Sequence, residues 1–226
     1  MLSFPAADCG RVNMTEQRFK NLPFRVFILF VGIVVQTFGI AMITSAGIGT
    51  TPISSIPFVC AEVSGLTFGT TTFLFNLVFV AMQRVFLGKH FSILNLLQIP
   101  SVLVFSLFID IAMKTVSYIP LENYTSQVVM SLLGNPCLAA GILLTIKSKT
   151  IVQPGEGFVL ALACFVKKPF PSVKIASDVS FVVSASLIGL VFLSTLFGVR
   201  EGTIVSAFLV GLCVKWMRPL FRMEKV

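Results

Sequence analysis

Long apolar runs with few charges between them constrain this chain more than any other feature. The first, residues 24–46, is too long for the core of a signal peptide and meets the ~20 residues a helix needs to cross a hydrocarbon core. Comparable runs occupy 67–86, 93–113, 127–146, 175–196 and 203–217. Charged residues make up only 12% of the chain and mean hydropathy is +0.97, whereas soluble domains carry about a quarter charged residues. That leaves too little polar surface to wrap a water-facing globule. The expected fold class is an all-α integral membrane protein with the lipid bilayer as its main partner.

Two shorter runs do not fit a full crossing. Residues 53–63 follow Gly47-Ile48-Gly49-Thr50-Thr51-Pro52, and 158–166 follow Gln153-Pro154-Gly155-Glu156-Gly157. Each is too short to span the bilayer and opens on a proline. The halves align without a gap at an offset of 102. Gly39-Ile40 falls on Gly141-Ile142, Pro52 on Pro154, Phe68 on Phe170, Asn76 on Asp178, and Phe79-Val80 on Phe181-Val182. The expected frame is therefore repeat one (24–117) and repeat two (126–220), each with three transmembrane helices plus one short re-entrant helix. Residues 1–23 and 221–226 read as cytoplasmic tails.

Charge placement gives the orientation. If all eight segments crossed, Arg84, Lys89, Lys147, Lys149 and Arg200 would face outside. If the two short segments enter and leave on one side, only Lys114 and Arg200 do, which fits the positive-inside rule far better. That topology inverts one repeat relative to the other, an arrangement common among secondary transporters. The net charge of +8 then belongs to cytoplasmic loops. It does not point to nucleic acid, since no basic stripe with interleaved aromatics occurs.

The breakers carry the candidate site. Thr51 suits an N-cap and Pro52 the first helical position. In the second half Gln153 would cap, Pro154 would open the helix, and Glu156 would stand at the third position of a capping box. Two helix N-termini entering from opposite faces attract anionic or strongly polar groups. The expected substrate-binding residues are Thr50, Thr51, Ser54, Asn76, Gln153, Glu156 and Asp178. Asp178 draws notice as an intramembrane carboxylate, although a structural hydrogen bond reads almost equally well. Glu156 reads equally as a cap or a coupling group. Asp110 reads as an interface marker, Gln36 as a cavity or interhelical residue, and Arg200-Glu201 as a local ion pair. Small-residue rows such as Ala176/Ser180/Ser184 suit close helix packing and suggest a homodimer. No zinc spacing and no enzymatic motif appears, so neither a cofactor, a metal nor an enzyme activity is expected.

Two glycine-rich motifs, Ala46-Gly47-Ile48-Gly49-Thr50-Thr51-Pro52 and Gly198-Val199-Arg200-Glu201-Gly202-Thr203-Ile204, resemble those of the bacterial YczE/YitT-like multi-pass membrane proteins. The likeness covers roughly residues 24–220. It implies a bacterial inner-membrane protein and no particular substrate. The functional expectation is a transporter or channel for a small polar solute, anionic ones included, bound between the two re-entrant starts. A substrate-capturing subunit of a vitamin importer and a non-transporting scaffold are the alternatives.

Overall fold

A computed structural model describes residues 22–88, 91, 93–195 and 197–221. Residues 1–21, Lys89, His90, Ser92, Leu196 and the last five residues lie outside the described residues, while Leu22 and Pro23 of the expected tail belong to α1. The described residues are all-helical. In chain order they form α1 (Leu22–Ser45), α2 (Pro52–Ser64), α3 (Phe68–Leu87), a 3-10 turn (Ile93–Leu97), α4 (Gln98–Val116), α5 (Tyr124–Ser148), α6 (Pro154–Val166), α7 (Phe170–Leu193) and α8 (Glu201–Met217).

Local chemistry sets most of these boundaries. Thr51 and Gln153 sit in extended backbone at the N-caps of α2 and α6, each with proline opening the helix. Thr67 caps α3 by accepting from the Thr70 N–H, and Asn123 and Ser126 close a capping box on α5. Gly65 ends α2 in the left-handed region, returning its N–H to the Ala61 carbonyl; glycine enters that region without steric cost.

Among the described residues, five helices are long and apolar enough to cross a membrane: α1, α3, α4 with its 3-10 lead (Asn95–Val116), α5 and α7. The sixth expected span, α8, is shorter at 17 residues. The two short helices have 13 residues each, about 20 Å at 1.5 Å per residue, against a hydrocarbon core of about 30 Å. Helix starts recur with a displacement of 102: Pro52 and Pro154, Phe68 and Phe170. Gln98 and Glu201 differ by one further residue.

The centre is the α1–α5 pair. A Cβ on Gly39 would fall 2.4 Å from the Leu138 backbone nitrogen, and one on Gly141 2.5 Å from that of Gln36. One turn further out, Gly32 faces Thr145 and Gly134 faces Ile43. Rising numbers on one helix meet falling numbers on the other, so the two run antiparallel. Small residues let the backbones approach this closely, which is how apolar helices gain packing where lipid removes any hydrophobic advantage. Around this pair α4 packs on α1, α8 on α5, α7 on α2, and α3 on α6.

Candidate functional site: two helix starts and a charged trio

The first breaker is tied to the start of α8. Gly202 donates its N–H to the Ile48 carbonyl at 2.8 Å, Thr50 donates its N–H to Thr203 Oγ1 at 3.2 Å, and Arg200 reaches the Gly47 carbonyl at 3.2 Å. Gly49 holds φ +133, and a Cβ there would lie 2.5 Å from Thr203 Oγ1. The two glycine-rich motifs, far apart in sequence, are thus one junction. Thr50 is fully buried and shares a 2.7 Å hydrogen bond with Thr44. Thr51 donates its hydroxyl to Ser54 at 2.8 Å instead of capping the α2 backbone. Arg200 also pairs with Glu201 at 3.0 Å, as expected.

The second breaker is wrapped in amides. Gln153 exchanges two hydrogen bonds with Gln36 of α1, at 3.0 and 2.7 Å. This corrects the capping-box expectation: the Gln153 side chain makes no cap bond, because a partner on α1 satisfies both its donor and its acceptor. Buried Gln83 donates to the Pro154 carbonyl at 3.0 Å and pairs with buried Gln98 at 3.2 and 3.3 Å. Four glutamines from three helices and a helix cap therefore surround the α6 start.

The two starts meet. A Cβ on Gly155 would lie 2.2 Å from Ile53 Cδ1, so no side chain fits there unless Ile53 moves. Beside this contact, Phe79 stacks on Phe158 at 5.0 Å and tilts against Phe181 at 5.6 Å.

Next to the α6 start lies a group of charges. Lys174 Nζ sits 2.5 Å from Asp178 Oδ1, one turn apart on α7. Glu156 is within Coulombic reach of both. Glu156 itself is half-buried. Lys174 is the member that sequence reasoning missed. Its signal was the Lys174–Asp178 spacing of four, which gains meaning only once α7 is known to begin at Phe170.

The seven expected residues thus divide. Glu156 and Asp178 belong to the charged group, with Gln153 at the same helix start. Thr50, Thr51 and Ser54 bond among themselves and to Thr44 and Thr203. Asn76 donates to the Thr72 carbonyl of its own helix at 2.8 Å and joins neither set through a hydrogen bond. Asp110 does more than mark an interface. Its carboxylate accepts from the Gly69 N–H and the Thr67 hydroxyl, both at 2.7 Å, and so caps α3 from α4.

Five long apolar helices, two half-length helices with proline starts, and charges held among them define the class, a polytopic α-helical protein built for a membrane. The chain belongs to a family of unknown function, DUF6198, whose model matches residues 23–219. No curated protein and no solved structure matches it.

Proposed function

We propose that this protein is a secondary transporter for a small polar solute, built as an inverted repeat with its site at the junction of the two half-length helices. The observation that carries the reading is the charged trio Glu156, Lys174 and Asp178 beside a broken-helix start. Ionisable side chains at membrane depth are costly and mark pathways by default, and irregular backbone is tolerated there only where protein or a polar cavity surrounds it. The repeat is supported by equivalent residues that meet across the junction, Ile53 with Gly155 and Phe79 with Phe181. It is supported again by the antiparallel crossing of α1 and α5, in which Gly39 and Gly141 exchange roles. Crossing by α8 completes six spans, since 17 residues is the short end of the spanning range of about 17–25.

In this reading the α2 start, which carries no charge of its own, receives the anionic or most polar group of the solute at the positive end of its helix dipole. Glu156 already occupies the equivalent region of α6. Both termini are cytoplasmic in a bacterial inner membrane, the junction of glycine-rich motifs lies at the outer face, and the working unit is a homodimer.

The test is purified protein in proteoliposomes, offered a panel of amino acids, carboxylates and vitamins under imposed ion gradients. One solute class should raise the melting temperature and be taken up. Asp178→Asn, which frees Lys174 to pair with Glu156, should abolish uptake while leaving the melting temperature near that of the parent. Thr51→Val should weaken solute binding. No melting shift and no uptake across the panel would leave a scaffold as the better account. Labelling of cysteines placed at 147–149 from the cytoplasmic side only is the expected topological result.

A further inference from the structure

We propose that Lys149 and Lys167, each held in a left-handed turn at a helix end, bind the phosphate groups of anionic phospholipids at one face of the protein. This stands apart from the transport reading and does not rest on it.

Both lysines sit in backbone that disfavours them. Lys149 ends α5 with φ 49 and Lys167 ends α6 with φ 54. Glycine enters this left-handed region freely, whereas a Cβ there crowds the following carbonyl oxygen. Among the described residues only Ser194 shares the conformation without being glycine. The first half of the chain shows what the backbone asks for. The residues 102 positions earlier are Gly47 and Gly65, with φ 73 and 71. Equivalent turns close equivalent bonds. The Gly47 N–H reaches the Thr44 carbonyl and the Lys149 N–H that of Ile146, while the Gly65 and Lys167 N–H groups reach Ala61 and Ala163. Four matching turns are thus filled by glycine in one half and by lysine in the other. Backbone held against its preference points to a use for the side chain.

The helix ends themselves do not supply that use. A cation gains from the negative end of a helix, but the neighbouring Lys147 and Lys168 offer the same charge without entering the left-handed region.

The two turns open on one face. Arg25, near the start of α1, donates to the carbonyls of Ser148 and Lys149, so α5 ends where α1 begins. Phe30 meets Phe108 and Ser45 meets Met113, so α4 runs with α1. Gly69 bonds Asp110 and Gln83 pairs with Gln98, so α3 runs back against α4. Phe86, near the end of α3, packs on Phe165 near the end of α6, with 5.2 Å between ring centroids. That brings Lys167 to the face of Lys149.

Both lysines are exposed, and their ammonium groups make no salt bridge or hydrogen bond among the described residues. The acidic side chains of those residues stand elsewhere. Glu62, Asp110, Glu122 and Glu201 lie towards the opposite helix ends, Glu156 at the start of α6 and Asp178 inside α7. A chain seated in a bilayer meets anions at its helix ends in the phosphates of lipid headgroups, and anionic leaflets attract lysines placed there. The long apolar stem lets the ammonium reach outward to that level.

The test is thermal unfolding in nanodiscs of phosphatidylcholine alone and of phosphatidylcholine mixed with phosphatidylglycerol. Phosphatidylglycerol should raise the melting temperature of the parent by several degrees, and that of the double variant Lys149→Gly with Lys167→Gly much less. In phosphatidylcholine alone the double variant should melt about 2–4 °C above the parent, because glycine relieves both turns. Lys149→Arg with Lys167→Arg should keep the phosphatidylglycerol gain, and high salt should remove it. An equal gain in the parent and in the glycine variant overturns the proposal. A glycine variant that melts below the parent in phosphatidylcholine shows the lysines to be structural and overturns it as well. So does an equal loss of the gain in Lys147→Gln with Lys215→Gln, which removes two charges from the last turns of α5 and α8, where Lys147 meets Phe221 just past the end of α8. Charge spread over the face would then be the whole effect. Inorganic phosphate that stabilises the parent in phosphatidylcholine as much as phosphatidylglycerol does would assign the lysines to a soluble anion and sink the lipid site. If the glycine variant does not fold, Lys149→Asn with Lys167→Asn takes its place and is read in the same way, since asparagine tolerates left-handed backbone.

Discussion

The seam between α3 and α4 and the seam between α7 and α8 stand at corresponding places in the two halves, yet only the first is closed. Its closure rests on three residues. Asp110 on α4 accepts from the Gly69 N–H and the Thr67 hydroxyl, and Gly69 lets the helices come so close that a Cβ there would lie 2.2 Å from the Ser106 carbonyl oxygen. At the matching positions stand Leu212, Pro171 and Pro169. Prolines have no N–H to give, leucine cannot accept, and a proline ring cannot approach where glycine does. Accordingly α7 makes at most marginal contact with α8, and Phe208 and Leu212 are 72% and 46% exposed. The half that is clamped carries the neutral helix start. The half that is open carries the charges.

The centre of the molecule should break this contrast most severely, because there the halves are equivalent. Gly39→Leu and Gly141→Leu should each abolish accumulation of folded protein, and by the same amount, since each drives a side chain into the backbone of the facing helix. Size-exclusion profiles of detergent extracts read the outcome. Tolerance of one but not the other would show that α1 and α5 do not share the crossing symmetrically.

At the seams the effects should become unequal. Gly69→Ala must displace backbone and should cost about 1–3 kcal/mol, the usual range for overpacking. Asp110→Leu should cost about 2 kcal/mol by removing two charge-assisted hydrogen bonds. Pro171→Ala and Leu212→Ala in the open seam should stay within about 0.5 kcal/mol, as substitutions away from tight contacts do. Thermal unfolding in nanodiscs measures all four. Equal losses at both seams would mean that the α7–α8 gap is closed in the membrane.

Legibility in the sequence followed the range of the forces involved. Helix starts at Pro52 and Pro154 were readable because proline and its preceding extended residue act locally. The junction of Gly49 with Thr203 was not, since two glycine-rich motifs say nothing of each other until the chain is folded. Gln153-Pro154-Gly155-Glu156 has the local pattern of a capping box, but Gln36, 117 residues earlier, competes for the amide and wins. Asp110 looked like an interface residue because its acceptor role depends on Gly69, 41 residues away. Lys174 escaped notice because the apolar run begins at residue 175, whereas α7 begins at Phe170 and places the lysine inside it.

The smallest effect offers the finest comparison of the two helix starts. Gln36 and Gln153 correspond to Leu138 and Thr51 in the other half, so the double change Gln36→Leu with Gln153→Thr rewrites the second start in the residues of the first. Either single change strands an amide that now has its partner at 2.7–3.0 Å; Gln153→Thr leaves the buried Gln36 unpaired, at a cost of about 1–3 kcal/mol, and Gln36→Leu leaves the half-buried Gln153 unpaired at a smaller one. The double change strands nothing and should cost less than the sum of the singles by about 1 kcal/mol, the coupling expected of touching residues. A melting-temperature cycle over the four proteins gives that number directly. Additive losses would mean that the α6 start needs its amides for the path of its backbone, and that the two starts differ in more than their side chains. A near-neutral double variant would mean that the α6 start accepts either lining, leaving the glutamines free to serve the proposed solute.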